Sequence, residues 1–303
     1  MAPISTNWSR LIRFVAAETS RVHIGEPVDT TLDVGLAFHE GKVIKAYEIV
    51  GSALDPSSQV SGNVLTVKHL LSPLSNEEIK IVRCLGLNYA DHAEEAKLAA
   101  PKFPILFYKP LTSLIGPSAT VTIPRVAQPA KDHLPDYEVE LVIVIGKPAK
   151  DVSEKDALEY VLGYTGANDV SFRYHQMAVS QWGFSKSFDN TNPLGPCLVS
   201  AKAIPDPQTI PLKCVLNGQT VQDGTTADQI FNVRQTIAFL SQGTTLEPGS
   251  IILTGTPKGV GFVKKPPLYL KGGDNMSVWV GNGVGTLVND VKEEGPHATK
   301  AKL

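Results

Sequence analysis

"DYEVELVIVIGK", Asp136 to Lys147, reads as a buried β-strand. Val, Leu and Ile dominate it and Gly146 closes it, a composition suited to a strand covered on both faces. Yet Glu138 and Glu140 stand at its start. Side chains two apart on a strand share a face, roughly 7 Å apart along the chain, and this face continues as Val142 and Val144. Two like charges on a partly buried face repel, and each resists losing its water. Three arrangements are compatible with that cost. The pair lies at a solvated strand end, one glutamate holds a proton, or a cation sits between them.

The rest of the chain predicts an α+β, β-rich protein with few helices. Short runs such as "RLIRFVA", "LDVGLAF" and "KVIKAYEIV" alternate in the manner of strands, with "HEG" as a hairpin turn between the last two. They define a small N-terminal β-rich lobe over residues 1–75. A larger domain over 76–291 opens on the strand "KIVRCLGLNY", and a polar tail fills 292–303. Helices are expected over "YADHAEEAKLAA", stopped by Pro101, over "EKDALEYVLGY", with Ser153 as N-cap, and over "TADQIFNVRQTIAFLSQG". "VLNGQTVQ" carries an Asn-Gly hairpin signal.

Several function classes drop out. With a formal net charge of -2 the chain has no basic footprint for nucleic acid. Its longest apolar runs are strand-length, far short of a membrane span. Cys84, Cys197 and Cys214 are scattered and odd in number, which suits core packing in a reducing compartment. "MAPISTNWSRLIRFVAA" lacks the long apolar run of a secretory leader. It also lacks acids, as a mitochondrial presequence does, although "SRLIRFVA" reads as a first strand. The expected location is intracellular, cytoplasmic or mitochondrial.

A third acid bears on the glutamate pair. Asp169, in "GYTGANDVSFRYHQ", follows small residues at a strand end or turn. Alone it reads as a turn former before it reads as a ligand. Three carboxylates without nitrogen or sulfur ligands suit a hard divalent ion, Mg²⁺ before Mn²⁺ or Ca²⁺. His92 and Glu95, three apart in a helical segment, share a face. They are either a solvated chance pair or an imidazole oriented by a carboxylate, able to activate water or move a proton. Lys186 in "SKSFD" reads by itself as a surface charge, and Lys109 in "YKP" as part of a wall or core.

Six motifs in order, "GLNYADHAEE", "PILFYKP", "DYEVELVIVIGK", "YTGANDVSFR", "SKSFDNTNPLGP" and "ILTGTPKGVG", resemble the fumarylacetoacetate hydrolase (FAH) family over roughly residues 78–291. "KPPLYLKGGD" is similar to the eukaryotic branch that includes oxaloacetate tautomerases. The resemblance implies a mixed β-roll catalytic domain, usually a homodimer. It implies a metal held by Glu138, Glu140 and Asp169 that binds a small 2-oxo acid. It makes His92 and Glu95 the catalytic dyad, on a segment that orders as a lid, and Lys186 the active-site lysine. Arg173 and Gln176 match positions that contact substrate oxygens in parts of the family, while Thr256 lies in "TGTPKGVG", where glycines let the backbone approach a ligand and the hydroxyl can bind a carboxylate. The expected activity is a Mg²⁺-dependent reaction of a 2-oxo or 1,3-dicarbonyl acid through a metal-bound enolate, first of all keto-enol tautomerisation of oxaloacetate. Carbon–carbon hydrolysis of an acylpyruvate, decarboxylation of a β-keto acid, and a catalytically silent FAH-fold dimer are the alternatives. The chain departs from the family pattern at Phe172 and Tyr174, where a small residue and an acid are usual. Those two decide the pocket's shape if they face it.

Overall fold

A computed structural model of the chain describes residues 4–295. Eleven strands form the principal sheet. Its path runs Val22–Pro27, Lys45–Val50, Gln59–Leu71, Arg10–Ala16, Asn192–Ser200, Val161–Asn168, Val139–Ile145, Ile251–Leu253, Val82–Gly86 and Ile105–Lys109, with Leu114–Ile115 paired beside Asn192–Ser200. A second sheet orders Gln219–Thr225, Pro211–Leu216, Asn275–Val280, Gly285–Glu293 and Val121–Ile123. It packs on the centre of the first, where Val139–Ile145 and Val161–Asn168 face Asn275–Val280. The largest core cluster, including Leu141, Ile143, Tyr164, Leu212 and Val278, fills the space between them. The fold is therefore α+β and β-rich, as expected. Of the tail expected over 292–303, residues 292–293 complete a strand, and residues 296–303 lie outside those described.

The strand "VELVIVI" is buried at every position, which explains the apolar run from Leu141 to Ile145. "RLIRFVA" is a strand as expected. The Asn-Gly hairpin joins Pro211–Leu216 to Gln219–Thr225, with Asn217 at φ 49° and Gly218 at φ 81°, the left-handed pair that such a turn requires.

Three expectations fail, each for a physical reason. "LDVGLAF" is no strand. Val34–His39 is a short helix, capped where the Leu36 N–H donates to Asp33 Oδ1. "HEG" ends that helix instead of turning a hairpin, and Gly41 sits at φ 71° just past it. Seven residues are too few to separate the two periods, and tertiary contact decides. Asp33 also accepts from the Thr286 N–H and hydroxyl, pinning the helix to Gly285–Glu293. "EKDALEYVLGY" is a 3-10 turn, Ala157–Tyr160, followed by the strand Val161–Asn168. Ser153 caps no helix there: its hydroxyl accepts from the Asp156 N–H, in the turn just before Ala157–Tyr160. The helices over "YADHAEEAKLAA" and "TADQIFNVRQTIAFLSQG" shrink to Ala90–Glu95 and Val233–Leu240, the latter opened by an Asn232–Gln235 capping box.

The Val34–His39 helix docks through glycine. A Cβ on Gly35 would lie 1.8 Å from the Thr286 carbonyl oxygen and 3.0 Å from Pro196 Cγ. Gly35→Ala is expected to destabilise the protein by about 1–3 kcal/mol, as overpacking does. An unchanged urea midpoint would show that the helix docks more loosely than this.

Candidate active site

Backbone pairing brings the acids together. Val139 pairs with Asn168 and Glu140 with Ala167 across antiparallel strands. Just beyond, the Asp169 N–H donates to the Glu138 carbonyl oxygen at 2.9 Å, and the Glu138 N–H donates to the Asn168 side chain at 2.9 Å. Asp169 thus arrives beside the glutamates although it lies 29 residues beyond Glu140 in the chain. Carboxylate oxygens of Glu138, Glu140 and Asp169 lie within 4.8 Å of one another, and all three residues are buried.

Two of the acids are matched by cations. Lys186 Nζ donates to Glu138 Oε2 at 2.8 Å, Asp169 Oδ2 at 2.7 Å and Ser171 Oγ at 2.5 Å. Burial opposes the charge on Lys186, but Asp169 and Glu138 overcome it and raise its pKa. Arg173 Nη1 lies 2.7 Å from Glu138 Oε1, and its Nε donates to Asp136 Oδ2 at 2.9 Å. Burial resists the Glu138 charge too, yet Lys186 and Arg173 hold its pKa below the ordinary range. Glu140 differs. Burial, then Asp169 and Glu138, push its pKa well up. Its Oε2 accepts from the Gly255 N–H at 2.6 Å, and among the described residues no cationic side chain pairs with it.

This chemistry fits a divalent cation. The donors are all oxygen, they converge within a few ångströms, and the glutamate whose pKa burial pushes well up is the one lacking a positive partner. Glu138, Glu140 and Asp169 would supply the ligands.

Lys109 is closer to this cluster than its sequence context suggested. Its Nζ donates to Asp169 Oδ1 at 2.5 Å, and both side chains are fully buried. Removing one partner of a buried pair strands the other charge, at a cost of roughly 3–5 kcal/mol. Lys109→Met is expected at the lower end of that range, because Lys186 still serves Asp169. Denaturant unfolding of the metal-free protein checks this, and a loss below about 1 kcal/mol would mean that Asp169 is adequately served without Lys109.

The dyad forms on Ala90–Glu95. His92 Nδ1 lies 2.8 Å from Glu95 Oε1, and both Glu95 oxygens accept from the Gly259 N–H at 2.9 Å. That carboxylate favours the tautomer with the proton on Nδ1, leaving Nε2 as the acceptor. Beside it opens a cavity of about 430 Å³, lined by His92, Glu138, Arg173, Gln176, Lys186 and Thr256 at its polar part. The structure brings Arg173 and Gln176 together, since Arg173 Nη1 donates to Gln176 Oε1 at 2.9 Å. The Thr256 hydroxyl donates to the Val139 carbonyl oxygen at 2.9 Å and accepts from Gln222 Nε2 at 2.8 Å. To donate to a carboxylate it would have to release Val139.

Residues 81–292 match the fumarylacetoacetate (FAA) hydrolase C-terminal family. The chain belongs to the fumarylacetoacetate hydrolase family. It is 65% identical over 296 residues to a caffeoylpyruvate hydrolase of Neonothopanus nambi, covering 97% of this chain and 96% of that one. It is 41% identical over 223 residues to the human mitochondrial oxaloacetate tautomerase FAHD2A, covering 73% and 68%. Among solved structures, 2-hydroxyhepta-2,4-diene-1,7-dioate isomerase from Mycobacterium marinum superposes with a TM-score of 0.76 at 32% identity, over 95% of this chain and 100% of that one. The chain is an enzyme of the isomerase or carbon–carbon hydrolase kind that these names describe. Among the described residues no helix is long and apolar enough to cross a membrane.

Its departures from the FAH pattern do not reshape the cavity. Phe172 is buried in the core against Phe188, ring centroids 4.8 Å apart. Tyr174 is 57% exposed, edge-on to His133 and His175. His133 Nδ1 lies 3.2 Å from His175 Nε2, and neither residue lines the cavity. Sequence reasoning missed Asp136 altogether. Its oxygens accept from the N–H groups of Gly261 and Phe262 as well as from Arg173, tying that arginine to the loop after Ile251–Leu253. An aspartate opening a buried run that already carries two glutamates was the available signal.

Proposed function

We propose that this FAH-family enzyme hydrolyses the carbon–carbon bond of an acylpyruvate whose acyl group is apolar and aryl-sized. The observation that carries this reading is the shape of the cavity. Its polar side chains gather around Glu138 and Lys186, and the rest of the wall is apolar, including Leu85, Phe107, Met177, Trp182 and Phe262. A volume of about 430 Å³ is in the range of drug-sized ligands, well beyond the needs of a four-carbon diacid. The 65% identical relative, named for caffeoylpyruvate, supports the same class.

In this reaction water adds to the acyl carbonyl, the bond to the adjacent methylene breaks, and the electron pair left on the pyruvate carbon takes a proton. The products are a carboxylic acid and pyruvate. A divalent cation held by Glu138, Glu140 and Asp169, which we take as Mg²⁺, supplies Lewis-acid stabilisation of the negative charge that develops on the 2-oxo acid. His92 Nε2 accepts the water's proton while Glu95 holds the ring. Lys186 fixes two of the carboxylates and adds positive charge at the polar end of the cavity. Arg173 and Gln176 stand where carboxylate oxygens of the substrate bind. A homodimer is carried over from the family as the assembly.

Oxaloacetate tautomerisation is the second reading, favoured by the name of the 41% identical human relative. The same dyad can shuttle a proton without cleaving carbon. The two are separated by incubating the protein and Mg²⁺ with cinnamoylpyruvate, following pyruvate and cinnamate, and in parallel with enol-oxaloacetate, following the enol absorbance. Stoichiometric pyruvate and cinnamate support the hydrolase. Rapid enol loss without cleavage of the acylpyruvate supports the tautomerase. Neither activity, together with no mutual enhancement of Mg²⁺ and oxalate binding, would leave a silent scaffold.

A further inference from the structure

We propose that Trp182 and Gly86 build an aryl-binding subsite beside the carboxylate cluster, so that Trp182 sets the preference for aryl over short acyl groups. This rests on the acylpyruvate reading and deepens it. The indole lies directly on the end of strand Val82–Gly86. A Cβ at Gly86 would fall 2.0 Å from Trp182 Cζ3 and 2.6 Å from Cη2. Only glycine leaves room for the ring there. Trp182 also meets Phe107 edge to face, centroids 5.6 Å apart at 72°. The Lys186 ammonium sits 5.1 Å from the centre of the Phe107 ring. The two rings therefore form an aromatic corner whose inner edge is the lysine that holds Glu138 and Asp169.

A flat conjugated group attached to an acylpyruvate, with its 2-oxo acid end at the carboxylates, extends along this corner. Leu98, Met177 and Phe262 border the same cavity and are 56%, 69% and 40% exposed. Large apolar side chains at a cavity rim gain from being covered by an apolar ligand. The subsite is joined to the polar end through the backbone as well. The Trp182 carbonyl oxygen accepts from the Lys186 N–H at 3.2 Å and from the Ser185 hydroxyl at 2.8 Å. A ring resting on Trp182 thus bears on the turn that carries Lys186.

The test compares two ratios in wild type, Trp182→Ala, Trp182→Phe and Gly86→Ala. The first is kcat/KM for cinnamoylpyruvate over that for acetylpyruvate. The second, which needs no cleavage, is the calorimetric affinity of the Mg²⁺-loaded protein for 4-phenyl-2-oxobutanoate over that for pyruvate. Both ratios are expected to exceed about ten in wild type, to fall about tenfold in Trp182→Ala and Gly86→Ala, and to survive largely in Trp182→Phe, as one aromatic contact allows. Unchanged ratios in Trp182→Ala would overturn the subsite. So would equal losses on long and short ligands, which would leave Trp182 only a support for the Lys186 turn. If wild type cleaves neither acylpyruvate, the hydrolase reading fails, and the binding ratio still decides on the subsite.

Discussion

Glu140→Gln is expected to lower kcat/KM by at least about 10³-fold, since a Lewis-acid cation supplies several kcal/mol of transition-state stabilisation. Glutamine keeps an oxygen for the Gly255 N–H, which now donates to Glu140 at 2.6 Å. What it removes is one of the three buried carboxylates that would hold the cation. Burial, Asp169 and Glu138 disfavour its anion, so the metal-free fold does not depend on its charge. The metal-free variant should be as stable as wild type or more stable by about 1 kcal/mol, while calorimetry shows Mg²⁺ binding lost. A variant that unfolds, yet keeps full activity per folded molecule, would remove Glu140 from the catalytic machinery.

His92→Ala carries the second large effect. General base catalysis by a positioned imidazole contributes about 10²–10⁴-fold, and that is the loss expected in acylpyruvate hydrolysis. Mg²⁺ and oxalate affinity should stay within about threefold, because in the proposed reaction the side chain acts on the attacking water and not on ground-state binding. Glu95→Gln should lose less, since glutamine keeps one acceptor oxygen and gives up only the negative charge and the second oxygen that serve His92 Nδ1 and the Gly259 N–H. An undiminished hydrolysis rate in His92→Ala would show that another group activates the water.

Much of this site was legible from residue types. Two glutamates where a strand turns apolar signalled an unusual need for charge, and both are buried around the proposed cation site. The H-x-x-E spacing placed His92 and Glu95 on one face, and they meet there. Convergence was not legible. Asp169 reaches Glu138 through the register of two antiparallel strands, and the second of those begins inside a segment whose composition favours helix. Lys109 reads as an ordinary lysine before a proline, and only the adjacency of Ile105–Lys109 to Val82–Gly86 at the sheet's edge sets it within reach of Asp169. Trp182 sits in a turn with no period to read, and its partner Gly86 matters for an atom it lacks. The helix Val34–His39 was misread because Asp33, its cap, owes half its role to Thr286, distant in the chain.

The ion pairs around Glu138 also carry a rule of electroneutrality. Asp136, Glu138, Glu140 and Asp169 face Lys109, Arg173 and Lys186. Taken as ionised, these groups leave one excess negative charge, and a bound dication turns it into one excess positive charge. A guest with a single carboxylate cancels the remainder and leaves the buried site neutral. A dicarboxylate overshoots, and must keep its second charge in water or find another counter-charge. Among these seven groups the charge balance favours the guest we propose, an acylpyruvate with an uncharged tail.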